Sequence, residues 1–211
     1  MTPPLHARRQ RVRTPGTIPP FFMAAAHTPL VRRAFQHCMS LYAIKPASLR
    51  DAKAIAELHV AAWQHAYADL LAPEDLATLS VDKRLAMWRE AIEYAEPQVL
   101  VATNGEGKLV GFVGFDRSRD PKTKSTTGEL WALYVAPDVV GTGAGRALWD
   151  AARDACEEEG FNEVTAWVYA RNDLALNFFD AMGFKRDMKT LRTTPVGSTR
   201  VEELRVKFSL V

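Results

Sequence analysis

The chain has only two cysteines, Cys38 and Cys156. Their spacing fits neither a disulfide framework nor a metal-binding pattern. So few thiols suit a reducing cytoplasm, the compartment this sequence leads us to expect. No stretch approaches the roughly 18 apolar residues that a membrane-spanning helix needs, so a membrane partner is not expected. His59 and His65 stand six positions apart, which does not set them on one helical face as ligands, and no metal is expected. Asp and Glu are absent from residues 1–50, which hold eight Lys or Arg. The remainder carries 19 basic against 25 acidic residues, so the net charge of +2 hides an asymmetry. A basic, acid-free arm reads as nucleic-acid contact, as a transit peptide or as an extension outside the fold. The third reading is preferred, and a nucleic-acid partner rests on this arm alone. Residues 1–38 are expected to be a disordered extension and residues 39–211 the working domain. Translation starting at Met39 would be consistent with that division.

What is present is 47% apolar content over 211 residues, enough for one sizeable core. The most informative stretch runs from Glu129 to Ala152, ELWALYVAPDVVGTGAGRALWDAA. Aromatic and branched residues make its first part a strand, which Pro137 ends. Gly141, Gly143 and Gly145 then alternate. A helix follows, with Ala147, Leu148, Ala151, Ala152 and Ala155 on its apolar side. Strand, glycine loop and helix N-terminus form a layout that binds phosphate, because glycines admit close backbone approach and free N–H groups face the anion. A P-loop would need Lys and Ser or Thr after its last glycine, where Arg146 and Ala147 stand. A dinucleotide fingerprint would need an acid at the end of the next strand, and none is there.

The loop resembles the acetyl-coenzyme A loop of the GNAT superfamily of N-acetyltransferases, Gln/Arg-x-x-Gly-x-Gly/Ala. In that register it reads Val140-Gly141-Thr142-Gly143-Ala144-Gly145, with Val140 departing from the first position. A second stretch, residues 163–184, resembles the family's other motif at Asn172, Ala175, Phe178, Phe179 and Gly183-Phe184. The resemblance implies that acetyl-coenzyme A is the co-substrate. Its pyrophosphate would lie on Val140, Gly141, Thr142, Gly143, Ala144, Gly145 and Arg146. The backbone of Leu133 and Val135, the amide of Asn172 and the ring of Phe179 would hold the rest. Asn172 reads equally well as a helix N-cap.

The coarse element order supports this fold. A strand at residues 41–45 precedes a helix from Ser48 or Asp51 to about Tyr67. A helical region runs from Pro73 to about Tyr94. A hairpin of residues 98–103 and 108–116 turns over Asn104-Gly105-Glu106-Gly107. Strands at 129–135 and 163–169, helices at 146–159 and 173–182, and a closing hairpin of 184–189 and 201–210 follow. The order is βααβββαβαββ, an α/β (α+β) architecture. It implies a GNAT-type mixed, mainly antiparallel sheet of about seven strands with helices on both faces.

Acetyl transfer to an amine needs a base for the ammonium proton, donors for developing oxygen charge and an acid for the thiolate. Glu129, eleven positions before Val140, stands where some relatives carry their catalytic glutamate. His65 and Tyr67, with Asp69, form a second set at the end of the first helix, and an imidazole titrates in a useful range. The acid position of many relatives, a tyrosine, is Phe179 here. Tyr134 falls on the face opposite Glu129 and Leu133 if the strand is regular. Trp63, Tyr67, Trp88 and Trp131 are read either as core or as an aromatic pocket for a cationic or apolar amine. The sequence leads us to expect an acetyl-coenzyme A-dependent N-acetyltransferase acting on a small-molecule amine, with a homodimer left open. Alternatives are a protein N-terminal or lysine acetyltransferase and a non-catalytic acyl-coenzyme A sensor.

Overall fold

Twelve segments with the periodicities just described fold in the order β1 (Ala43–Pro46), α1 (Ala52–Ala66), α2 (Pro73–Ala77), α3 (Val81–Tyr94), β2 (Gln98–Thr103), β3 (Leu109–Arg117), β4 (Thr127–Val135), α4 (Ala144–Glu158), β5 (Glu163–Tyr169), α5 (Asp173–Ala181), β6 (Lys185–Val196) and β7 (Thr199–Ser209). This computed structural model describes residues 41–121 and 123–210. The basic arm, with Cys38 and Met39, lies outside the described residues. The strands form one seven-stranded sheet in the order β1-β2-β3-β4-β5-β7-β6. Every pairing is antiparallel except β4 with β5.

Each face of the sheet is covered by helices. On one face α4 and α5 bury Leu148, Trp149, Ala152, Cys156, Leu176 and Phe179 against Val113, Leu130, Val164, Ala166 and Val206. On the other, α1 and α3 bury Ile55, Ala56, Ala62, Trp88 and Ala91 against Val99, Val101, Phe112 and Ala132. Full burial of a side chain such as Leu148 or Phe112 contributes about 1.5–3 kcal/mol, so the two layers carry most of the stability.

Two expected boundaries move for local reasons. The helical region from Pro73 to Tyr94 is broken into α2 and α3, because Ser80 takes an extended conformation and its hydroxyl accepts from Lys83 N at 3.3 Å. That bond is an N-cap and starts a new helix. The closing hairpin is longer than expected, with its turn at Gly197, which has a φ of +59°. Pro195 does not stop β6, because β6 is the edge strand and its missing N–H is not needed by a neighbour.

Candidate active site

The site arises where the parallel pair opens. β4 and β5 pair from Thr127↔Glu163 to Leu130↔Ala166, and no pairing follows although both strands continue. Beyond Leu130, β4 is held only by β3. Alternate backbone N–H and C=O groups of Trp131–Val135 therefore face the gap. The gap widens into a cleft of about 500 Å³. Leu133, Val135, Asn172 and Phe179 line it, as do Val140, Gly141, Gly143, Gly145 and Arg146 of the glycine loop.

The loop has the shape that its glycines allow. Gly141 and Gly143 sit at φ +80° and +99°, in the region that residues with a Cβ avoid. Gly143 is the N-cap of α4. A Cβ on Gly141 or Gly143 would meet no protein atom within 4 Å, so the loop faces open space. Gly145 serves packing instead, since a Cβ there would lie 3.2 Å from the Phe178 ring. Buried Ala144 opens the helix. Thr142 is not among the cleft residues. Its hydroxyl donates to Val139 O at 2.6 Å and pairs with the Tyr42 hydroxyl, which fixes the turn. Arg146 reaches Asp150 at 3.8 Å and remains mostly exposed at the cleft rim. Free N–H groups of the α4 start, glycine backbone and one arginine together suit a pyrophosphate.

Asn172 caps α5, its side-chain oxygen accepting from Ala175 N at 3.1 Å. It also lines the cleft and hydrogen-bonds the Tyr67 phenol, and its N–H₂ has a second hydrogen for a further partner. Phe179 is largely core, edge-on to Phe178 and Phe184.

The other wall is phenolic, and a bulge decides which phenols reach it. In β4 Ala132 pairs with Gly114 and Leu130 with Phe115, so Trp131 is an extra residue. A bulge reverses the alternation that follows. Leu130 and Leu133 thus pack in the same layer, whereas Ala132 and Tyr134 pack in the other. The expectation from regular alternation is therefore corrected. Glu129 falls on the side of Tyr134, not of Leu133. Tyr134 lines the cleft, and Trp63 Nε1 donates to its hydroxyl at 2.8 Å. Burial raises its pKa, while bonds from Tyr67 and Trp63 act in the opposite sense. Tyr67 is raised further, first by burial and then by Tyr134. Tyr169 is pushed up to about 12, chiefly by burial. These three phenols therefore remain protonated at neutral pH.

His65 lines the cleft from the last turn of α1 and is exposed. Glu129 is 2% exposed and is not among the cleft residues. Arg119 N donates to one of its oxygens at 2.8 Å, and the Arg119 guanidinium grips the other through Nε at 3.1 Å and through a second nitrogen. Of the four rings considered for an aromatic pocket, Trp88 is core, donating to His59 Nδ1 at 3.0 Å beneath α1. Trp63 meets Tyr67 edge-on at 4.9 Å, and Trp131 lines the cleft. The aromatic pocket is thus corrected to a smaller set.

Sequence reading missed Arg119, Trp167 and Asp75. Asp75 of α2 receives Ser198 N at 2.8 Å and Thr199 Oγ1 at 2.7 Å. It clasps the tip of the β6–β7 hairpin. Tyr67 and Leu71 pack with Val201 and Val196 in a small apolar cluster, and of these Tyr67 also lines the cleft. No motif marks these residues, and Asp75 and Trp167 meet partners far along the chain, Ser198 and Asp120.

Known proteins agree with this geometry. The family model described as the acetyltransferase (GNAT) family matches residues 52–184, more than half of the chain. An uncharacterised N-acetyltransferase of Bacillus subtilis, YuaI, is 28% identical over 68% of this chain and 80% of its own length. A mycothiol acetyltransferase of Paenarthrobacter aurescens is 30% identical over 46% of this chain, which is 31% of that longer protein. The PaiA N-acetyltransferase of Thermoplasma acidophilum, solved in complex with coenzyme A, superimposes with a TM-score of 0.63 at 22% identity, covering 81% of this chain and all of that one. The chain belongs to the acetyltransferase (GNAT) family, as an acetyl-coenzyme A-dependent acyltransferase.

Proposed function

We propose that this enzyme moves the acetyl group of acetyl-coenzyme A to the primary amine of a small molecule. The observation that carries the reading is the parting of β4 from β5 after Leu130 and Ala166, directly above the glycine loop. The unpaired edge of β4 is suited to take the pantetheine arm as an added strand through the backbone of Leu133 and Val135. The loop Val140–Arg146 and the start of α4 would take the pyrophosphate, and Asn172 would offer its amide to the arm. Acetyl-coenzyme A supplies an activated thioester carbonyl. Backbone N–H groups at the bulge of β4 lie along the same edge and would meet the charge that develops on that oxygen.

Two groups compete for the role of base. His65 is open to the cleft, whereas both oxygens of Glu129 are engaged by Arg119. We place the base at His65 and give Glu129 a positioning role through Arg119. Phe179 cannot give a proton to the leaving thiolate. Tyr134 can, because its oxygen accepts from Trp63 and its own O–H is left to point elsewhere. Tyr67 supports it from α1.

Small acceptors accord with the clasp of Asp75 on Ser198 and Thr199, which ties the β6–β7 tip to α2 over the layer where Tyr67, a cleft residue, packs. Mycothiol acetyltransferases among the relatives accord with this. The test is release of free thiol from acetyl-coenzyme A with a panel of primary amines, beside peptides with free N-termini. Turnover with small amines is expected. Turnover with peptides alone would replace the small-molecule reading. Binding of acetyl-coenzyme A without turnover of any amine would favour a sensor.

A further inference from the structure

We propose that the acceptor amine carries an anionic group, a carboxylate or a phosphate, held by Arg119 and Arg192, which are not themselves cleft-lining residues but stack on two tryptophans that are. This rests on the acetyltransferase reading above and deepens it.

Trp131 and Trp167, from the two strands that part, both line the cleft. Each ring already carries a guanidinium. Arg119 lies 4.1 Å from the Trp131 centroid, and Arg192 lies 3.6 Å from that of Trp167. An incoming ammonium would therefore find these aromatic faces taken by cations of the protein itself. The carboxylates that balance the arginines lie beneath them. Glu129 is 2% exposed under Arg119 at 55%, and Glu203 is 10% exposed under Arg192 at 52%. Thr194 Oγ1 donates to the same oxygen of Glu203 at 2.6 Å, which ties that acid down further.

Asp120 behaves likewise. It is 14% exposed and spends both oxygens on Trp167 Nε1, at 3.0 and 3.1 Å, and one on Arg205 at 3.4 Å. Beside these two rings the guanidiniums are the exposed members of their ion pairs and the carboxylates the buried ones. The guanidiniums are pre-oriented by stacking and by their buried anchors, so little side-chain freedom is lost when they bind. Buried polar atoms without a partner on this side are Trp131 Nε1 and Arg205 Nε, and both are donors. Donors in surplus and acids withdrawn are the signature of a site for an electron-rich group.

The experiment compares primary amines in matched pairs by thiol release from acetyl-coenzyme A. Amino acids are set against their carboxamides, phosphoethanolamine against ethanolamine, and putrescine is the dication. The anionic member of at least one pair is expected to exceed its neutral partner at least tenfold in kcat/KM. The carboxylate and phosphate pairs separate the two sources of charge. Arg192→Gln should raise KM for the anionic acceptor at least tenfold and collapse the ratio within the pair, and Arg192→Lys should fall between. Retained affinity for acetyl-coenzyme A, measured by calorimetry, reports that the variants are folded. Equal rates within every pair, preference for putrescine, turnover of peptides alone, or an unchanged KM in a folded Arg192→Gln protein would each overturn the proposal. No calorimetric binding of acetyl-coenzyme A, with no thiol release from any amine, would instead overturn the reading beneath it.

Discussion

At the residue scale, burial and partners separate groups that look alike in the sequence. His65 and Glu129 both have the chemistry of a base, but one is exposed in the cleft and the other is gripped by Arg119. His65→Gln is therefore expected to lower kcat by about 10²–10⁴-fold with unchanged affinity for acetyl-coenzyme A. Glu129→Gln should cost less in kcat and act through a loosened Arg119. Steady-state kinetics near pH 7 on both variants checks the order. A larger loss in Glu129→Gln would return the base to Glu129.

His59 is a second histidine case. Trp88 donates to its Nδ1, so the proton sits on Nε2, which has no partner. Burial, then the nearby Arg84, pushes its pKa down to about 3 from the ordinary value of 6.5. Between these values the unfolded chain binds a proton that the folded chain refuses. Stability therefore rises with pH through this window, and the contribution is complete above about 6.5. The Tm should fall as the pH is lowered from 7 towards 4, and His59→Gln should make that fall shallower. Parallel Tm profiles for the two proteins would contradict this account.

At the scale of elements, two turns and one bulge determine what the cleft can hold. Gly143 sits at φ +99°. A side chain there has room but the wrong backbone, at a cost of roughly 1–2 kcal/mol, and it would project into the space left for phosphate. Gly143→Val should lower Tm by a few degrees and abolish calorimetric binding of acetyl-coenzyme A. Unchanged affinity in the folded variant would remove the phosphate-loop reading.

The second turn is the β6–β7 tip. A Cβ on Gly197 would lie 2.0 Å from Asp75 Oδ1, which shows how closely α2 seats on it. Asp75→Ala should release the tip, raise KM for the acceptor and admit bulkier amines, with affinity for acetyl-coenzyme A retained. An acceptor profile identical to that of the parent would mean that the clasp is only structural. The bulge at Trp131 acts differently. One extra residue reverses every later side chain of β4, which places Tyr134 in the α1 layer.

At the scale of the molecule, Ser40–Val211 forms one compact unit that holds the whole cleft. A protein beginning at Met39 should match the full chain in Tm and in affinity for acetyl-coenzyme A, because the acid-free arm has no apolar periodicity to bury. Loss of several degrees or of binding would show that the arm contributes to the domain. Among the described residues no helix is long and apolar enough to cross a membrane, and no group of acids, histidines or cysteines could hold a metal.

The sequence by itself determined the order of the strands, the span of β5, the position of the glycine loop and the family. Those features are local. They follow from hydrophobic period, from glycine at positive φ and from two motifs, each contained within a few neighbouring residues. Only the tertiary structure decided where β4 leaves β5, that Tyr134 and not Phe179 brings a phenol to the cleft, that Glu129 is tied to Arg119, and that arginines cover the tryptophans at the rim. Each of these depends on a partner from another element: Gly114 and Phe115 for the bulge, Trp63 for Tyr134, Glu203 for Arg192 and Ser198 for Asp75. Strand pairing and side-chain contacts between segments are set by packing of the whole sheet, and no hydrophobic period or motif specifies them, even for Arg119 and Glu129 or Arg192 and Glu203, which lie close along the chain.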